Sequence, residues 1–384
     1  MVLSRASRRS TLNVIRIIAA AAILIICKQL YAFEMENFSD PPLPTVIENN
    51  FPIGATGVPS IPAWNMRPTP NITTKTHLFI GFIQNWLLLQ QAVVSYLAAG
   101  WPASDIIVVD NTGTMGSNKR SQLTLQNPSF LNHQRLCDTL GVKVLSTPSL
   151  LSFAQLQNFY LYEAIHSNWT YYFWSHMDVA VLSSEDTESG VYQSLYSRVV
   201  VDLYQALLST DWAVRFYAYD RLALVSVPAY EAVGGFDTMI PYYPTDCDMY
   251  ERLNMAGYHN PSPEVGHIFD VASSIEDLTD FYRVGLPNST SYQNLFTRLK
   301  YLEMRKNRED VERNNGQDVQ RGGQGEPYHR DVGGSNKARS EMIKAGRRIF
   351  KQKWGTSECR LHESGVRLTD AWASGFRRTV MQWP

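Results

Sequence analysis

Three short stretches carry side chains able to move a proton or hold a cation: Thr245-Asp246-Cys247-Asp248, Ser175-His176-Met177-Asp178 and Asp110-Asn111. A carboxylate placed beside a hydroxyl can take its proton, and Asp246 is the candidate for that role. His176 and Asp178, with His267 further on, combine carboxylate and imidazole in a set suited to Mn2+, with Mg2+ the alternative. Such a cation acts as a Lewis acid on a departing diphosphate. Each stretch also has a plain structural reading. Thr245 is a good N-cap and Asp248, three residues on, its capping-box partner, while acids in a first turn meet the positive end of the helix dipole. Asp110-Asn111-Thr-Gly makes an ordinary turn after a strand, and a histidine among aromatics can be a hydrogen-bonded core residue. Taken alone, the Thr245-Asp246-Cys247-Asp248 stretch favours capping over catalysis, and for Asp246 to react, burial or substrate must offset the dipole's depression of its pKa.

These residues need a frame that brings strand ends together. The apolar runs THLFIGFI (76–83), SDIIVVDNTG (104–113), VKVLS (142–146), TYYFWSHMD (170–178) and LALVS (222–226) predict strands. Helical patterns fall between them, over NWLLLQQAVVSYLAAG, SFAQLQNFYLYEAIHSN (152–168) and a long stretch from Val191. Met249, Leu253 and Ala256 recur at helical spacing after Thr245, with Gly257 as the C-cap. A further short strand is expected around Val265, with His267 near its end. Strands alternating with helices predict an α/β fold with a largely parallel sheet. Ligands then gather beyond the carboxyl ends of the strands, where the three stretches fall.

With these residues in order, the chain resembles a GT-A (Rossmann-like) glycosyltransferase, close in style to glycosyltransferase family 2. IIVVDNTGT resembles the strand whose Asp contacts the nucleoside, which maps to Asp110 with Asn111 beside it. YYFWSHMDVAVL lies where the family has its Asp-x-Asp metal motif. Gly234-Gly235-Phe236-Asp237 matches the glycine-rich motif on the acceptor side, and TDCDMYERLNMAGY places the catalytic base at Asp246. His267 falls where many members carry a late metal-binding histidine, and KWG resembles a common C-terminal element. The resemblance covers about residues 76–270. Two departures stand out: His176 replaces the first acid of Asp-x-Asp, and Thr245 replaces the Glu preceding the base. A Gln-x-x-Arg-Trp motif is absent, which argues against a processive synthase.

The bulk composition belongs to a globular protein with a sizeable core. The 384 residues are 44% hydrophobic and 18% charged, with a formal net charge of −1. That balance gives no reason to expect nucleic acid as a partner. Arg5, Arg8 and Arg9 precede an apolar run, Ile17–Cys27, that suits a signal-peptide h-region, but no small-x-small cleavage site follows. Residues 14–33 are long enough to cross a bilayer once Arg16 and Lys28 snorkel, so an uncleaved anchor is favoured over a signal peptide. The basic side then stays in the cytosol, giving a 1–13 cytosolic tail, a 14–33 signal-anchor and a Pro-rich stem over 34–75. The catalytic domain is expected over 76–304, a polar flexible insertion over 305–340, and a C-terminal helix and tail over 341–384. Sequons at Asn37, Asn71, Asn168 and Asn288 are consistent with a lumenal glycoprotein. Setting Cys27 in the anchor aside, three cysteines permit one disulfide, and Cys137 with Cys359 is the pair expected.

The expectation is therefore a single-pass type II membrane protein of the Golgi, or the ER, with its enzymatic domain in the lumen. It would move one sugar, with inversion, from a nucleotide sugar (UDP-linked favoured, GDP-linked as the alternative) to a glycan, glycoprotein or glycolipid. Two other readings stay open. The altered metal motif and missing Glu also suit a catalytically silent binding or assembly subunit, and nucleotidyltransferases share such sheets and acidic metal sites.

Overall fold

The computed structural model describes residue 51 and residues 58–62, 74–185, 192–283, 287–307, 320 and 322–373. The 1–13 tail, the 14–33 anchor, most of the stem and residues 308–319 lie outside them. Chain contacts divide the molecule into Met1–Thr45 and Val46–Pro384, and everything described belongs to the second unit. Among the described residues no helix is long and apolar enough to cross a membrane.

Eight strands and seven α-helices of the described residues build an α/β fold: β1 (Leu78–Phe82), α1 (Trp86–Ala98), β2 (Ile106–Asp110), β3 (Lys143–Ser146), α2 (Phe153–His166), β4 (Tyr171–His176), β5 (Val179–Leu182), α3 (Leu195–Ala206), β6 (Val214–Tyr217), β7 (Leu222–Ser226), α4 (Val227–Val233), α5 (Thr245–Met255), β8 (His267–Asp270), α6 (Thr290–Lys306) and α7 (Val332–Trp354). Six strands form one sheet in the order β3-β2-β1-β4-β7-β6, and β5 pairs with β8 in a second sheet. The first four are parallel neighbours, and β7 runs against both β4 and β6. Hence β6 points the same way as β4, and the carboxyl ends of β2, β4 and β6 share one edge. Strand order reverses between β1 and β4, which opens the crevice where such sheets bind ligands.

The strands are apolar on both faces because both are covered. Leu78, Ile80, Phe82, Ile106, Val108, Phe173 and Leu224 pack toward α1, α3 and the small sheet. Their alternates Phe79, Ile107, Val109, Tyr172, Trp174 and Val225 pack toward α2, α4 and α5. This is the period of two that puts successive strand side chains on opposite faces. Phe79 stacks on Tyr160 at 4.7 Å, and truncating such an aromatic to alanine costs about 3–5 kcal/mol. Helix α2 starts where Ser152 and Gln155 close a capping box.

Several elements differ from the sequence reading. Strands β5 and β6 and helix α6 were not expected, and the helix placed from Val191 starts only at Leu195, capped by Ser194. Four-residue strands give too few alternations to register, and in β6 the charged Arg215 interrupts the apolar run. That arginine is held by Asp202 at 2.5 and 2.7 Å. The stem is more than a spacer at Phe51, which is fully buried and 5.5 Å from the ring of Tyr282. The polar region 305–340 also contains ordered structure: α6 runs on to Lys306, residues 322–331 dock on the 112–130 loop, and α7 begins at Val332. Its polarity reflects an exposed helix face and a docked strap.

Candidate active site

At the end of β2, Asp110 is 3% exposed. Its Oδ1 accepts hydrogen bonds from the Thr112 N–H at 3.2 Å and hydroxyl at 2.6 Å, and its Oδ2 lies 3.3 Å from His133 Nε2. The turn reading is thus realised, and the carboxylate still stands at the strand end. Asn111 is fully buried and its amide is committed. It donates to the Leu151 carbonyl at 2.9 Å and accepts from Leu151 N–H at 2.8 Å and Thr147 Oγ1 at 3.0 Å. Asn111 therefore ties β2 to the segment leading into α2, a structural task that sets it apart from Asp110.

The expected metal ligands are only partly brought together. Asp178 lies in the turn after β4, but β8 pairs with β5 so that Asp270 faces Val179 while His267 faces Leu182, three residues along. His267 packs instead against Phe296 at 4.9 Å. The companion of Asp178 is Asp270, and the ammonium of Lys306 from the last turn of α6 joins them, 2.6 Å from Asp178 Oδ2 and in direct contact with Asp270 Oδ1. Burial alone would raise the Asp178 carboxyl, but Lys306 and then His176 outweigh it and hold the group below the usual carboxylate range. Asp270 is pushed up, first by burial and then by the charge of Asp178. Lys306 is held above the ordinary lysine value because the two carboxylates overcome its burial. Among the described residues no three His, Cys, Asp or Glu side chains are grouped to hold a metal ion. What the site offers a divalent cation is two carboxylates, a number that suffices for Mg2+-like ions only when substrate phosphates complete the shell.

His176 ends β4 opposite Gly81. Its ring stacks near Phe153 at 6.2 Å, and its Nε2 lies 4.0 Å from Asp220 Oδ2. Ser175 is fixed from within, receiving the Tyr96 hydroxyl at 2.8 Å and donating to the Arg221 carbonyl at 2.7 Å. Beyond β6 the chain turns through Ala218 and Tyr219, both in the left-handed region at φ 57°. Residues with side chains pay about 1–3 kcal/mol for such backbone, and it clusters at functional sites. This turn delivers Asp220 to His176 and Arg221 to Glu303 and the Ile268 carbonyl. It also brings the Tyr219 hydroxyl to donate to Asp246 Oδ2 at 3.3 Å.

Helix α5 corrects the capping assignment. Pro244 is its N-cap residue, Thr245 is already inside the first turn, and the buried Thr245 hydroxyl has no hydrogen-bond partner. Asp248 is fully buried and caps nothing. Its Oδ1 receives Lys353 at 2.7 Å and Trp354 Nε1 at 2.8 Å, and its Oδ2 receives Arg252 at 2.9 Å. Asp246, two residues earlier, is partly exposed and meets Tyr219. Asp248 thus holds the C-terminal helix where a cap had been predicted.

The same cluster holds the glycine-rich motif. Gly234 ends α4 at φ 87°, and Gly235 follows at φ 67°. A Cβ on Gly235 would stand 2.7 Å from Asn158 Oδ1, which accepts from the Phe236 N–H at 2.8 Å. Arg252 donates to the carbonyls of Val233 at 2.6 Å and Gly235 at 2.5 Å. Phe236 is buried beside Phe153, and Asp237 binds Lys353 at 2.7 Å. The disulfide pairs Cys247 with Cys359, leaving Cys137 a free thiol, which replaces the expected Cys137–Cys359 link. Cys247 joins Phe350, Trp354 and Leu361 in a small core that clips α7 to α5.

No family model matches the chain, and no curated protein matches it by sequence. Solved structures share part of its fold. The mannosyltransferase PcManGT from Pyrobaculum calidifontis, in complex with GDP-Man and Mn2+, is 14% identical over 52% of this chain and 59% of its own, with a TM-score of 0.36. TarS of S. aureus is 8% identical over 63% of this chain and 41% of its own, at 0.35. A cytidylyltransferase from Leptospira borgpetersenii is 12% identical over 62% of this chain and 99% of its own, at 0.33. The chain spans 59% of the mannosyltransferase and 41% of TarS. Glycosyltransferases are among the structures it is similar to, and at these TM-scores the reaction has to be read from the side chains.

Those side chains include four that sequence reading passed over: Asp270, Lys306, Tyr219 and Arg330. Asp270 had a visible signal, since it is the second polar residue of HIFD, the stretch that singled out His267. Lys306 and Arg330 lie in polar sequence where no spacing distinguishes one cation from its neighbours. Arg330 donates to the Thr112 carbonyl at 2.8 Å, beside Asp110.

Proposed function

We propose that the chain is a glycosyltransferase that moves one sugar from a nucleotide-sugar donor to an acceptor hydroxyl, with inversion. The observation that carries this reading is convergence on one sheet edge. The ends of β2, β4 and β6 present Asp110, His176 with Asp178, and Tyr219 bonded to Asp246. In this reading Asp110 contacts the nucleoside and Asp246 takes the acceptor's proton. As the acceptor oxygen bonds to the sugar carbon, the bond to the diphosphate breaks on the opposite face and the nucleoside diphosphate departs. Asp178 and Asp270 would hold a divalent cation together with the donor phosphates, and that cation would supply Lewis-acid stabilisation of the leaving group. Lys306 now stands between those carboxylates, so cation binding there requires the ammonium to move aside. Tyr219 orients Asp246 and supplies an exposed aromatic face for the acceptor. A UDP-sugar is the favoured donor, with a GDP-sugar as the alternative. The Cys247–Cys359 disulfide suits an oxidising compartment, which supports a lumenal domain behind a type II anchor in the Golgi or ER.

A second reading, a catalytically silent binding subunit, draws on the lysine that occupies the cation position. One experiment separates them. The full-length chain is incubated with a panel of nucleotide sugars and candidate acceptors, in Mn2+ or EDTA, and nucleoside diphosphate release is followed. Release with one donor, lost in Asp246→Asn and Asp178→Ala, establishes the transferase. Donor binding without turnover, unchanged by Asp246→Asn, favours the silent subunit, and pyrophosphate release in its place assigns a nucleotidyltransferase.

A further inference from the structure

Arg330 is a half-buried cation without an acid. Its guanidinium carries five N–H donors and makes one hydrogen bond, to the Thr112 carbonyl, and no carboxylate among the described residues pairs with it. Five other arginines of the domain are matched to acids: Arg215 with Asp202, Arg221 with Glu303, Arg252 with Asp248, Arg283 with Glu185 and Arg298 with Asp280. The acids beside Arg330 in sequence are turned away from it. Glu326 accepts from the Thr124 N–H and Asn127 Nδ2, each at 3.1 Å, and Asp331 accepts from the Gly334 N–H at the start of α7. Burial disfavours the charged guanidinium, with the Tyr242 phenol offsetting part of that cost. A half-buried guanidinium with donors to spare gains from an anion supplied from outside the chain.

Its position indicates which partner. On one side Thr112, whose carbonyl receives Arg330, uses its own N–H and hydroxyl to hold Asp110. On the other lies Tyr242, in the loop that leads into α5 and Asp246, where Arg330 and Arg339 both bear on the phenol. The strap that carries Arg330 is fixed by the Glu326 bonds and by Gly322 N–H on the Gln126 carbonyl at 2.9 Å. From this arrangement we infer that Arg330 is a phosphate-binding residue that receives the diphosphate of the nucleotide, between the Asp110 turn and the Tyr242 loop. A planar guanidinium with donors to spare suits two phosphate oxygens at once. The inference rests on the glycosyltransferase reading for the identity of the nucleotide, while the anion site stands on the geometry alone.

The test is calorimetric binding to the full-length chain in EDTA and again in Mn2+. The probes are UDP, GDP, uridine, guanosine and inorganic pyrophosphate. Wild type is expected to bind one nucleoside diphosphate, and Arg330→Gln to weaken that binding about tenfold or more while leaving the matching nucleoside unchanged. Arg330→Lys, which keeps the charge, should recover part of the loss, and the salt dependence of binding should be shallower in Arg330→Gln. Equal diphosphate affinity in wild type and Arg330→Gln would overturn the inference, as would an equal loss for nucleoside and diphosphate, because a collapsed pocket does not single out phosphate. Pyrophosphate binding that depends on Arg330, without binding of either nucleotide, would uphold the anion site and sink the glycosyltransferase reading. Absence of binding by any of the anions to wild type would sink the inference itself.

Discussion

Two lysines from late helices each stand between two aspartates, and their surroundings differ. Lys353 of α7 reaches Asp237 and Asp248, both at 2.7 Å, and Arg252 and Trp354 complete the hydrogen bonding of Asp248. Two cations meet two anions there. Lys306 of α6 reaches Asp178 and Asp270 beside the end of β4. There His176, with a side chain 36% exposed, opens the cluster toward solvent. Burial is similar in the two clusters, so burial does not tell a lock from a site. Access to solvent and position on the sheet do. A cluster with every oxygen claimed resists change, whereas one open to solvent at a strand end can admit a ligand.

The largest expected effect tests the lock. Asp248→Ala would take the carboxylate from buried Arg252 and Trp354 and leave Lys353 with Asp237 alone, a loss of about 3–5 kcal/mol that is readable from urea unfolding. Asp270→Asn removes a carboxylate that its neighbour already destabilises, and should stay within about 1 kcal/mol of wild type. Similar losses at the two positions would erase the distinction between the clusters.

Next comes the disulfide that reinforces the lock. Cys247 and Cys359 are 112 residues apart, and closing a loop of that order contributes about 2–5 kcal/mol. Cys359→Ser should lose that much in unfolding measurements, while Cys137→Ser stays within about 0.5 kcal/mol. Non-reducing peptide mapping that joined Cys137 to Cys359 would contradict the arrangement of α5 and α7.

A smaller effect probes the open cluster's side of the crevice. Tyr219→Phe keeps the ring against Phe216 and removes the hydrogen bond to Asp246. A loss near tenfold in nucleoside diphosphate release, with an unchanged unfolding midpoint, fits a positioning role, since a bond to a charged group contributes about 1.5–3 kcal/mol. A shifted midpoint with intact turnover would make the strained turn a purely structural device.

How far these clusters could be read from sequence follows from what each residue needs. Asp110, His176 and Asp178 end apolar runs long enough to mark strands, so their position at a sheet edge was visible. Asp246 and Asp248 were visible as a pair, but their division of labour depends on Lys353 and Trp354, more than 100 residues away in the chain. The KWG motif announced that an element exists there without saying what it touches. His267 and Asp270 lie in one strand, and only the pairing of β8 with β5 decides which of them faces Asp178. A register of this kind is set by the partner strand and has no local signature. The Tyr219 turn was hidden for another reason, because its left-handed residues are Ala and Tyr, where sequence rules look for Gly or Asn.

At neutral pH the smallest effect belongs to neither cluster, which makes it a useful control on both. His77 stacks on Trp169 at 3.6 Å, and its buried Nδ1 has no hydrogen-bond partner. Burial lowers its pKa from 6.5 to about 4, with Asp105 opposing and Lys143 and Lys75 assisting. The unfolded chain therefore binds this proton more readily than the folded one. Stability from the neutral ring is complete above pH 6.5 and is lost as pH falls toward about 4. Asp237, held below its ordinary range by Lys353 against the effect of burial, keeps its charge through that window, so the lock should stay closed while His77 charges. His77→Phe is expected to flatten the decline in unfolding free energy between pH 6.5 and 4 and to leave the pH 7 value nearly unchanged. A decline that persisted in this variant, but vanished in Lys353→Met, would place the acid sensitivity in the lock and overturn the view that its charges are balanced.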